Sequence, residues 1–123
     1  MQSPVLNGSP RRHMPHRRKN FTHEVTINGT KVELTCGMYE DGTLGEIFID
    51  CDKFGSALRD WIGGYATLFS TSLQYGVPLE VLVKSFAHSR SDPCGPVTGH
   101  PTITHCTSIL DFIAQVLREE FLQ

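Results

Sequence analysis

The dipeptide Asn28-Gly29 stands between two runs, "FTHEVTI" and "TKVELTC", in which apolar and polar residues alternate. A two-residue hairpin turn needs positive φ at both central positions, and asparagine and glycine tolerate that geometry. Val25 and Ile27 before the turn, and Val32 and Leu34 after it, then share one face. No other feature constrains the fold as much, because it commits this part of the chain to an antiparallel hairpin. Asp41-Gly42 repeats the signal and sends the chain back into "TLGEIFID". Together the two turns predict a three-stranded antiparallel meander.

From about Lys53 the period changes. Phe54, Leu58, Trp61, Ile62, Tyr65, Phe69 and Leu73 recur at helical spacing. Asp50 or Asp52 is expected to cap the start of this helix. Gly63-Gly64 inside it costs roughly 1 kcal/mol per glycine relative to alanine. That cost predicts a kink or the close approach of another helix. Gly76 ends the helix, and Pro78 opens a second one, "PLEVLVKSFAH". Residues 89–106 hold three prolines and two glycines, which predict a loop with no long regular element. A last helix begins near Thr107 or Ser108 and buries Ile109, Ile113, Val116 and Leu117. The expected class is α+β, a meander packed against two or three helices.

The net charge of −2 conceals two unlike parts. Arg11, Arg12, Arg17, Arg18 and Lys19 precede the first acidic residue, Glu24. The remainder has six lysines and arginines against thirteen aspartates and glutamates, near −7. The expected division is therefore a basic, flexible arm over residues 1–19 and one α+β domain over 20–123. Such an arm suits either a clamp onto its own acidic body or contact with phosphates. No run of about 20 apolar residues is present, and the N-terminus lacks an apolar signal region. A cytoplasmic protein without a membrane span is the expectation. Cys36, Cys51, Cys94 and Cys106 are then free thiols.

Chemistry is harder to find. Glu46 and Asp50 share a strand face but stand roughly 13 Å apart, too far to serve one reaction centre. Cys94, His100, His105 and Cys106 are ligand types that zinc accepts, although their spacing matches no zinc knuckle. A nucleophile elbow, a Walker loop and a GxGxxG motif are all absent. The arm and the loop "SRSDPCGPVTG" offer guanidinium forks, hydroxyls and glycine amides, which suit an anion. The expected nucleotide- or phosphate-binding set is Arg17, Arg18, Glu46, Arg90, Gly95 and Thr98, with no catalytic residue. In this reading the carboxylates orient the arm's arginines rather than move protons. Trp61 is the stripe residue expected to face an interface.

The order of five short blocks carries a resemblance. Arg17-Arg18, Asp41 to Asp50, "LQYGVPLE", "RSDPCG" and "TSILDFI" resemble the C-terminal region of cobalamin-dependent (class II) ribonucleotide reductases, the TSCPD domain. Asn20, Asp92 and His100 depart from that family's pattern, where Gly, Glu and Asn are usual. The resemblance implies a non-catalytic accessory module of ribonucleotide reduction that binds the reductase catalytic chain or its nucleotides. It implies reductase activity by likeness only, with no independent turnover, and cobalamin only through a partner. A chain this short has no room for the reductase's radical-bearing barrel. The alternative is a free-standing nucleotide or oligonucleotide binder that senses or sequesters nucleotides. A homo-oligomer built on the long helix and its glycine pair is a further expectation.

Overall fold

A computed structural model describes residues 10–52 and 55–122. Residues 1–9 of the arm, with Pro4 and Gly8, lie outside the described residues, as do Lys53 and Phe54 of the helical stripe. The chain runs β1 (Lys19–Ile27), β2 (Thr30–Met38), β3 (Leu44–Cys51), α1 (Ser56–Gln74), α2 (Leu79–Phe86), β4 (Gly95–Thr98), β5 (His105–Cys106) and α3 (Ile109–Phe121). This is the α+β meander that the sequence predicts, with three helices.

Asn28 and Gly29 have φ of +45° and +87°, the double left-handed turn that their identities demand. The β1–β2 register then runs unbroken from Ile27↔Thr30 to Lys19↔Met38. The return turn has Gly42 at φ +85°, and Asp41 accepts hydrogen bonds from the Thr43 amide and hydroxyl at 3.0 and 2.6 Å. Val25, Ile27, Val32, Leu34, Cys36 and Ile47 all point into the core.

The segment 89–106 differs from expectation in one respect. It contains the short strands β4 and β5, and β4 pairs with the far end of β1 through Thr26↔Thr98 and Ile27↔Val97. The sheet therefore has five strands in the order β3-β2-β1-β4-β5. Prolines and glycines limit the two strands to four and two residues. The partner of β4 in β1 is about seventy residues away in sequence, and β5 pairs only with the short β4, so local composition does not reveal them.

Helix α1 runs along β3, the edge strand. Ser70 Oγ accepts from the Ile47 amide at 2.9 Å, Gln74 Nε2 donates to Gly45 O at 3.0 Å, and Arg59 Nε donates to Cys51 O at 3.3 Å. An open edge would offer unpaired backbone to any passing strand, and these side chains occupy it. The expected aspartate cap is not used. Gly55 is the N-cap residue without a side-chain hydrogen bond, while Asp50 stays in β3 with its carboxylate 3.9 Å from Arg59. Asp50 cannot reach the helix start because its side chain lies on the outer strand face. Helix α3 follows the capping rule, with Ser108 Oγ accepting from the Asp111 amide at 2.9 Å.

Candidate functional site

The first part of the site is a strap. Residues 10–18 cross the end of the sheet where β3 begins and α1 ends. Arg11 Nε donates to Gln74 Oε1 at 2.6 Å, and the Arg12 amide donates to Gln74 O at 2.8 Å. Tyr39 OH donates to Arg12 O at 2.6 Å, and the Arg12 guanidinium lies 3.6 Å over the Tyr39 ring. The same guanidinium is 3.2 Å from the Asp41 carboxylate. The Thr43 hydroxyl and amide, and then Arg12, hold Asp41 down to about 2. Gly45 is required here, because a Cβ at that position would run into Met14 of the strap and the Tyr39 ring.

Arg18 closes the strap with a 2.9 Å ion pair to Glu46. Glu46 lies across Gly37, where a Cβ would meet its Oε2 at 2.6 Å. Arg17, Arg18 and Lys19 line a cleft of about 330 Å³ together with Pro15, Tyr39 and Glu40. A larger cleft of about 780 Å³ opens on the other side of Arg12, between Tyr39, Leu73, Tyr75 and Phe121. A guanidinium stacked on a ring beside an apolar floor can hold a flat or weakly polar group. Sequence reasoning did not single out Arg12, Tyr39 or Gln74. The signal was a buried glutamine in the last turn of an otherwise uncharged helix stretch, where a polar residue needs partners.

The second part lies elsewhere. Arg90, Asp92, Cys94, Gly95, His105 and Cys106 border a cleft of about 460 Å³. Arg90 is exposed. Gly95 pairs with Cys106, and Thr98 is exposed on β4 opposite Thr26, outside this cleft. Thr26 is seven residues from Lys19, roughly 23 Å along the strand. The structure thus brings Arg17, Arg18 and Glu46 together at one corner. It leaves Arg90 and Gly95 at another and does not join the six residues in one cleft.

The second corner is held by Asp111. Its carboxylate accepts from the His88 amide at 2.9 Å, the Thr107 amide at 3.0 Å and Gln115 Nε2 at 3.1 Å. Burial pushes this carboxyl up, and the hydrogen bonds from Thr107, His88 and Gln115 outweigh it, so the net shift is downward. Ser89 and Ser108 hydroxyls meet at 2.7 Å and complete the attachment of the loop to α3.

Among the described residues no three His, Cys, Asp or Glu side chains form a group that could hold a metal. Cys94 donates weakly to Asp92 at 3.5 Å. His100 sits away from that pair, its ring tilted against that of His23 with the centroids 5.2 Å apart, and its Nδ1 accepts from the Ile103 amide at 3.0 Å. Burial lowers the His23 pKa, and His100 lowers it further. Burial pushes Cys36 up to about 12 and Cys106 up to about 11, so both thiols stay protonated near neutral pH.

Comparison with known proteins gives one consistent result. The profile of the TSCPD domain matches residues 7–121. A vitamin B12-dependent ribonucleotide reductase from Bradyrhizobium diazoefficiens is 46% identical over 112 residues, which is 91% of this chain and 9% of that protein. The enzyme of the same name from Agrobacterium fabrum is 42% identical over 91% of this chain and 9% of its own length. That from Streptantibioticus cattleyicolor is 36% identical over 91% and 18%. The chain therefore spans less than a fifth of the length of these relatives. No solved structure matches it significantly.

Proposed function

The chain belongs to the TSCPD domain family, and from that membership we propose that it is a non-catalytic accessory module of ribonucleotide reduction. It binds a reductase's catalytic body and that body's nucleotides through the strap corner. The single observation that carries this reading is the proportion of the relatives: about 9–18% of each named reductase corresponds to nearly all of this chain. The rest of those proteins has room for the chemistry of ribonucleotide reduction.

The strap corner supplies the phosphate contacts in this reading. Arg17 and Lys19 are exposed beside Arg18, which Glu46 orients. Guanidinium groups suit phosphate because their planar forks donate two parallel hydrogen bonds. Cobalamin is assigned to the catalytic body. No described helix is long and apolar enough to cross a membrane, and a cytoplasmic site of action follows from the proposed partner.

Reconstitution tests the reading. A B12-dependent reductase body from which this region has been deleted is assayed with and without the chain. Restored or altered ribonucleotide reduction is the expected result. The double variant Arg17→Ala, Arg18→Ala should lose most of the effect. A body whose rate and nucleotide response ignore the chain would contradict it.

A further inference from the structure

Two clefts meet at Tyr39, and their linings differ in kind. The smaller sets Arg17, Arg18 and Lys19 against one lining carboxylate, that of Glu40. The larger, about 780 Å³, has the size of a small-ligand pocket. Its walls are chiefly apolar, with the exposed side chains of Tyr75 and Leu122 beside Leu73, Leu79 and Phe121. Its charged lining groups are Arg12, which Asp41 already pairs, and Glu120. An anion is therefore disfavoured in the larger cleft and favoured in the smaller one.

Arg12 forms a platform between them. One face of its guanidinium lies 3.6 Å over the Tyr39 ring, and its nitrogens reach Asp41 at 3.2 Å and Thr43 Oγ1 at 3.5 Å. Tyr39 itself is only 6% exposed, so the plane offered to the cleft is that of the guanidinium. The Arg12 main chain is fixed separately, its amide donating to Gln74 O and its carbonyl accepting from Tyr39 OH. The seat of the strap thus does not rest on the Arg12 side chain alone. A guanidinium held flat in this way stacks on π-rich planes such as nucleobases.

We propose that the larger cleft takes the base of a nucleoside phosphate, stacked on the outer face of the Arg12 guanidinium, with the phosphates directed past Tyr39 to Arg17 and Lys19. A ligand with one flat, uncharged end and one anionic end is what the two linings select together. The inference rests on the nucleotide-binding reading of the strap corner and adds which cleft takes which end.

Calorimetric titration of the chain with adenosine triphosphate and with inorganic triphosphate separates the two ends. Stacking of one base should give the nucleotide about a tenfold advantage in affinity. Arg12→Lys keeps the charge without the plane. It should erase that advantage and leave the affinity for inorganic triphosphate unchanged. Arg17→Ala, Arg18→Ala should weaken both ligands alike and preserve their ratio. A second readout needs no variant: adenosine triphosphate should shift the ring proton resonances of Tyr75 and Phe121, and inorganic triphosphate should not. Equal affinity for the two ligands would overturn the proposal and leave the phosphate corner standing. So would an advantage that Arg12→Lys retains. Binding of neither ligand would overturn the phosphate corner as well. None of these readouts involves a reductase body, so a failed reconstitution is a separate result.

Discussion

Asp111 keeps its charge although only 7% of its side chain reaches solvent. It does so because two backbone amides and Gln115 donate to it. Replacing it with alanine leaves the His88 and Thr107 amides without an acceptor. The expected loss is about 1–3 kcal/mol, read by denaturant unfolding. Asp111→Asn should lose less, because one oxygen still accepts. The folded carboxyl lies below the ordinary 3.8. Its stabilisation is therefore complete above that value and lost as pH falls through the lowered one. The wild-type chain should lose stability more steeply in acid than Asp111→Asn does. Equal acid profiles would show that the charge contributes nothing. A helix start near Thr107 or Ser108, as the sequence predicts, puts Asp111 in the first turn. The sequence did not reveal His88 as a partner, because that contact joins two elements 23 residues apart.

At the scale of elements, the edge strand β3 depends on α1 side chains for its outer hydrogen bonds. Ser70→Ala removes the acceptor of the Ile47 amide and should cost about 1–3 kcal/mol, in line with leaving a buried donor unsatisfied. Gly45→Ala should cost about 1–3 kcal/mol by overpacking, as Tyr39 and Met14 must move. It should also speed proteolysis near Arg12, since the strap loses its seat. An unchanged cleavage rate would mean that the strap is held elsewhere. Much of this architecture was legible in the sequence, for physical reasons that can be named. The turns at Asn28-Gly29 and Asp41-Gly42 are local and chemical. The α1 and α3 stripes are periodic, and Ser108 caps where it should. The β4–β5 strands were not legible, because four and two residues carry no period and the β1 partner of β4 is distant. The cap of α1 was misplaced for a related reason. An aspartate near a helix start satisfies the rule in one dimension, but strand pairing turns Asp50 outward.

At the scale of the whole molecule, charge organises the chain. A basic strap closes onto a body near −7, and Arg11, Arg12 and Arg18 are engaged with Gln74, Asp41 and Glu46. Of the two uses that the sequence left open for the arm, a clamp on its own body is thus present for these three. Arg17 and Lys19 remain exposed. The candidate site was legible in its residue types more than in its grouping. Sequence order cannot say that Arg18 and Glu46 meet while Arg90 lies at another corner, because the β1 strand separates them.

The account rests on recognition without chemistry, and one titration reaches that claim most directly. The chain is titrated calorimetrically into a B12-dependent reductase body lacking this region, with a nucleoside triphosphate present, at two salt concentrations. Saturable binding is predicted, weaker at high salt, with a salt slope reduced by Arg17→Ala, Arg18→Ala. No heat at any concentration would contradict it, as would deoxyribonucleotide formed by the chain alone.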